Sequence, residues 1–169
     1  SRAFGINNIG AVVGDAAFAT ASTTDTPIRH AALFNNGSVK DLGTLKKQTF
    51  SRANSINGFN QVVGFSGPSL DSPKSRAFFW STSTGMVDLG TLGGAYAQAF
   101  AINDAGSITG NSQVRSSATA TDAVHAFLAP SPLAAGAIGM RDLGTLGGAF
   151  SYGMAINSNN HVVGYSTIN

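Results

Sequence analysis

The chain has 169 residues, no cysteine, and only 11% charged residues, with Lys plus Arg at 10 and Asp plus Glu at 8. A formal net charge of +2 excludes a strongly basic nucleic-acid module, which needs a phosphate-neutralising surface, and an acidic disordered tail. Without cysteine there is no disulfide scaffold, thiolate zinc site or cysteine nucleophile.

In chain order, seven hairpin units are expected, of two alternating types. The first type opens at 1–16, with the apolar run before Asn7 followed by Val12-Val13-Gly14. The second follows at 28–45, where Asn36-Gly37 is a strong hairpin turn leading into Asp41-Leu42-Gly43-Thr44-Leu45. The first type returns at 51–66, the second at 75–94 around Ala77-Phe78-Phe79-Trp80, the first at 97–112, the second at 124–148, and the first again at 151–166. The Ile-Asn pairs start at 6, 56, 102 and 156, and the Asp-Leu-Gly triplets at 41, 88 and 142. Both markers give a period of roughly 50 residues, the size of a four-stranded propeller blade.

Each first-type turn opens with an asparagine, Asn7, Asn57, Asn103 or Asn157, and closes on Gly10, Asn60, Gly106 or Asn160. The closing residues tolerate positive φ, and the opening asparagine can accept backbone N–H groups two residues on. Strict alternation in 99–103 puts Ala99, Ala101 and Asn103 on one face and Phe100 and Ile102 on the other. The expected fold is all-β: tandem four-stranded repeats, propeller-like, with ring closure left to a longer protein or a second chain. A pseudo-threefold β-barrel or prism is the alternative.

These motifs carry a resemblance. Ala-Ile-Asn-x-x-Gly-x-Val-Val-Gly, with His125-Ala126-Phe127 and Asp142-Leu143-Gly144-Thr145-Leu146-Gly147-Gly148, resembles the HAF repeat of bacterial extracellular proteins over nearly the whole chain. The sequence departs from the pattern at Ala31-Ala32, at Arg76 in place of His, at Lys46-Lys47, and at Ser107-Ile108-Thr109-Gly110. The resemblance implies secretion or surface display and a β-rich, propeller-like architecture. It brings no defined catalytic activity.

Asp41, Asp88 and Asp142 are read as acceptors for the N–H groups of the following Gly-Thr turn, in preference to a Ca²⁺ ring; no cofactor is expected otherwise. His30, Arg76 and His125 occupy one repeat position and are read as strand-start caps; His161 is read as solvent-facing. Ser66 recurs as Ser112 and Ser166, so a structural role outweighs a nucleophile's. Glycosidase chemistry needs a marked carboxylate pair, and none stands out.

The connections Asp15 to Pro27, Gly67 to Ser75 and Gln113 to Ala123 vary between repeats and are expected on one binding face. They supply Asp25, Asp71, Lys74, Arg115 and Asp122 as candidate contacts; Phe59, Tyr96 and Tyr152 are candidate exposed stacking platforms for sugars. The functional expectation is a non-enzymatic, extracellular or cell-surface scaffold that binds a glycan or a protein. Alternatives are an assembly module forming homo-oligomers through the terminal hairpins 1–16 and 151–166, and a hydrolase with a site built across repeats. Neither nucleic acid nor a membrane span is expected.

Overall fold

The computed structural model describes residues 1–18, 28–115, 123–131 and 139–169. Asp25 and Asp122 lie outside these residues. The described residues are all-β, in fourteen strands: β1 Arg2–Ile6, β2 Val12–Phe18, β3 Ile28–Asn35, β4 Ser38–Gly43, β5 Phe50–Ile56, β6 Val62–Gly67, β7 Arg76–Ser81, β8 Gly85–Asp88, β9 Gly93–Ile102, β10 Ile108–Val114, β11 Val124–Ala129, β12 Arg141–Asp142, β13 Ser151–Ile156 and β14 Val162–Ser166. No described helix is long and apolar enough to cross a membrane.

The strands form three four-stranded antiparallel meanders, β1–β4, β5–β8 and β9–β12, and one two-stranded sheet, β13–β14. Successive sheets stack: β5 lies against β1–β3, β9 against β5–β7, and β13 against β9–β11. One apolar layer, with Val13, Ala31 and Leu42 facing Ala53, Ile56, Phe78 and Trp80, fills the first joint. A second, with Val63, Phe79 and Leu89 facing Ala99, Ile102, Ile108 and Phe127, fills the next.

The turn chemistry explains the hairpins. Gly10, Asn60, Gly106 and Asn160 all have positive φ, at 81°, 58°, 82° and 64°. The N–H of each returns to the carbonyl of the opening asparagine in the three-residue reverse bond of a type I turn. Asn36 and Gly37, at φ 48° and 75°, make the tight second-type turn.

Strict alternation fails in the first strand of every sheet. Phe4, Asn54, Phe100 and Met154 each fall at a register shift in the pairing, a β-bulge. The extra residue turns the strand over. Ile102 therefore lies on the same buried face as Ala99, and not with Phe100 as strict alternation requires. Opposite each bulge stands the glycine of Val-Val-Gly or its equivalent: Gly14, Gly64, Gly110 and Gly164. A Cβ on any of them would overlap the carbonyl oxygen of Arg2, Arg52, Gln98 or Tyr152, respectively. The repeated glycine is a close-approach requirement of the bulge.

Candidate functional site

The repeat-wide polar side chains come first, because their partners show how much chemistry remains. Asp41, Asp88 and Asp142 accept the N–H of Gly43, Gly90 and Gly144 at 2.7, 2.8 and 2.7 Å. All three glycines are in the left-handed region, so the carboxylate holds the strand exit. Each carboxylate also meets the strand-start side chain of the same sheet: His30 Nδ1 at 2.9 Å, Arg76 Nε at 3.1 Å and His125 Nδ1 at 2.8 Å. Each pair is closed within its own sheet. Among the described residues no group of three or more His, Cys, Asp or Glu side chains is placed to hold a metal ion.

The serines are likewise occupied. Ser66 is buried, accepts the N–H of Leu45 at 3.1 Å and donates to the Phe50 carbonyl at 2.8 Å. Ser112 and Ser166 accept from Leu92 and Leu146 in the same way, each at 2.9 Å. Ser51 and Ser151 join neighbouring sheets: their hydroxyls accept from Ala31 and Ala126 and donate to the carbonyls of Gly43 and Gly144.

The turn asparagines do more than close their own hairpins. Asn7 Nδ2 donates across the joint to the Asn57 carbonyl at 3.0 Å, Asn57 Nδ2 to the Asn103 carbonyl at 3.0 Å, and Asn103 Nδ2 to the Asn157 carbonyl at 2.8 Å. This ladder runs along one end of the sheets. Phe59, 70% exposed, sits in one of its turns. Antiparallel pairing puts the ends of β2, β6 and β10 and the starts of β3, β7 and β11 at the opposite end of the sheets, so Phe59 does not share a face with them. His161 is exposed, with Nδ1 at 3.4 Å from Asn157 Nδ2.

Two clefts open at the variable-loop end. The first, of about 400 Å³, is lined by Arg2, Ile28, Arg29, Thr49, Phe50 and Pro68 to Leu70. Behind it lies Asp15, fully buried, with Arg2 Nη2 at 3.1 Å, Arg52 Nε at 3.0 Å and Arg29 in direct contact. Burial pushes the Asp15 carboxyl up, but the bonds donated by Arg29, Arg2 and Arg52 outweigh it and hold the group below its ordinary value. The Arg52 guanidinium also sits 4.6 Å from the centroid of the Phe4 ring.

The second cleft, of about 250 Å³, is lined by Pro73, Tyr96, Asn111, Gln113, Val124 and Tyr152. Tyr96 and Tyr152 are therefore brought together, but as half-buried walls and not as exposed platforms. Burial pushes both phenols up; a side-chain hydrogen bond with Asn111 partly offsets it at Tyr96, and the neighbouring Tyr165 adds to the effect at Tyr152. Tyr152 stacks on Tyr165 with centroids 4.7 Å apart. Asn111 is buried, and its Oδ1 has no hydrogen-bond partner among the described residues. The β6–β7 connection borders both clefts, with Pro68 to Leu70 on the first and Pro73 on the second. Asp71, Lys74 and Arg115 are exposed at this end but line neither cleft.

Sequence reasoning missed Asp15, Arg2, Arg29, Arg52 and Asn111 as site residues. One signal was present: Asp15 stands where the other repeats carry Phe65, Asn111 and Tyr165. A lone carboxylate inside an apolar strand pattern needs cations beside it: Arg2 and Arg29 come from the strands flanking β2 in its own sheet, and Arg52 comes from the sheet stacked on it. In comparisons with known proteins, no family model, curated protein or solved structure matches the chain.

Proposed function

We propose that the chain is an extracellular, non-enzymatic β-repeat scaffold of the propeller type that binds saccharide at its variable-loop end. Its propeller character is supported by the stacked four-strand meanders and the period near 50 residues. Secretion is an expectation from the HAF resemblance. The non-enzymatic reading is supported by where the repeated polar groups are used: the Asp–His and Asp–Arg pairs, the serines and the asparagines hold backbone.

The observation that carries saccharide binding is the second cleft. Two tyrosine walls, Tyr96 and Tyr152, stand there beside apolar Pro73 and Val124, with Gln113 also in the lining. Aromatic rings stack on the apolar face of a pyranose. Affinity electrophoresis in gels carrying neutral or acidic polysaccharides tests the reading. At least one polysaccharide should retard the protein, and Tyr96→Ala and Tyr152→Ala should restore its mobility. Unchanged mobility in every gel would refute it.

A second reading, assembly through the last sheet, has its own support. Leu146, Val163 and Tyr165 are 75, 63 and 59% exposed, whereas their repeat equivalents Leu45, Val63 and Phe65 are buried. Among the described residues the outer edge of β14 lacks the third strand that β2, β6 and β10 each have. An unpaired edge beside apolar surface is a template for strand addition. Light scattering should then give a mass that rises with concentration, and Val163→Lys should restore the monomer. A monomer at all concentrations removes this reading.

A further inference from the structure

Among the described residues the charges around Asp15 do not balance. One fully buried carboxylate meets three guanidiniums, from Arg2, Arg29 and Arg52. Among the described residues no second carboxylate pairs with any of them. A buried carboxylate is satisfied by one well-placed guanidinium and a few further donors, and each added cation raises the repulsion among like charges. Among the described residues the cluster nevertheless carries two positive charges in excess.

The excess is not spread evenly. Arg52 is turned inward, its side chain only 16% exposed and stacked against Phe4. Arg2 and Arg29 are more open and form one wall of the 400 Å³ cleft. Each directs Nε and Nη2 at Asp15, which leaves Nη1 for something else. Asp15 thus acts as the fixed anchor that holds two guanidiniums at the cleft wall. The rest of the lining is apolar, with Ile28, Phe50, Pro68 and Leu70, and Ser69 and Thr49 add hydroxyls. The volume falls within the roughly 300–1,000 Å³ of small-molecule sites.

We propose that this cleft binds the oxyanion of an acidic sugar, a uronate or a sulfate ester, with Arg2 and Arg29 as the anion donors and the Phe50–Leu70 side receiving the ring. The Nη1 groups left by Asp15 can donate charge-assisted hydrogen bonds to carboxylate and sulfate oxygens alike. The inference rests on saccharide binding at the variable-loop end, where the β6–β7 connection joins this cleft to the tyrosine cleft. It adds the ligand's charge and the residues that read it.

The test is calorimetric titration at low ionic strength with sodium glucuronate, glucose 6-sulfate and glucose. The two anions should bind and glucose should not; their ratio of affinities tells carboxylate from sulfate as the preferred group. Arg29→Gln should weaken anion binding by about tenfold or more. Leu70→Asp should do the same by placing a negative charge in the cleft while leaving the Asp15 cluster intact, so a folding defect in Arg29→Gln cannot decide the outcome. Arg141→Gln removes the same charge from sheet three and should bind like the parent. Absence of anion binding, equal affinity in Arg29→Gln and Leu70→Asp, or equal weakening in Arg141→Gln would overturn the proposal. Tyr96-dependent retardation by a neutral polysaccharide alongside any of these failures would leave saccharide binding standing and remove only the anion site.

Discussion

Replacing Asn57 by alanine tests the inter-sheet ladder directly. Asn57 is 4% exposed. Its Oδ1 accepts the N–H of Phe59 and of Gln61, both at 3.0 Å, and its Nδ2 donates to the Asn103 carbonyl at 3.0 Å and Gln61 Oε1 at 2.6 Å. An intramolecular hydrogen bond contributes about 0.5–1.5 kcal/mol net, and a buried group left unmatched costs more. Four such bonds give an expected loss of about 4 kcal/mol for Asn57→Ala. Asn157 makes the same two turn bonds, to Asn159 and His161 at 3.0 and 2.9 Å, but is exposed and holds no further hairpin. Asn157→Ala should therefore lose only about 1 kcal/mol. In urea denaturation followed by circular dichroism, an m-value of about 2 kcal/mol per M converts these losses into midpoint shifts of about 2 M and about 0.5 M. Asn57→Asp, which keeps the turn acceptor and deletes the amide donor, should fall between them. Equal shifts for Asn57→Ala and Asn157→Ala would refute the ladder and reduce the asparagine to a turn former.

Gly64→Ala should lose about 3 kcal/mol in the same assay because its Cβ meets the Arg52 carbonyl, whereas Gly139→Ala, which enters open space, should be neutral; a neutral Gly64→Ala would disprove the bulge contact. Ile102→Ala should lose about 2–5 kcal/mol from the second apolar layer, and an unshifted midpoint would mean that Ile102 is not packed there. Gly106→Val forces a β-branched residue to φ 82° and against Ser131, so a parent-like melting temperature would contradict the turn geometry. Asp15 has a depressed folded pKa, so its contribution is fully present above the ordinary value of 3.8 and is lost as pH falls through the folded value. Asp15→Asn strands three guanidiniums and should cost about 3–5 kcal/mol at neutral pH, with the gap to the parent closing in strong acid; a gap constant down to pH ~2 would show that Asp15 is not the titrating anchor.

Where a residue type answers a local backbone demand, the sequence alone was enough. Gly or Asn at positions 10, 60, 106 and 160 marks a left-handed turn, and the Asp-Leu-Gly triplet marks a carboxylate-held strand exit. Those demands recur with the repeat, so the all-β class, the fourteen strands and the period could be read before any coordinates. Tertiary structure decided the rest. The bulges overturned the facing of Ile102 because one extra residue inverts a period-two pattern that sequence cannot register against its partner strand. The ladder amides of Asn7 and Asn57 find their acceptors 50 and 46 residues away, and Asp15 meets Arg52 across 37 residues. Such partners exist only after sheets stack, because stacking is set by the shape of whole apolar faces such as Ala53, Ile56 and Phe78. The two clefts belong to the same level: Arg2 and Arg29 with Phe50, and Tyr96 with Asn111 and Tyr152, share no sequence pattern and converge only where neighbouring sheets meet.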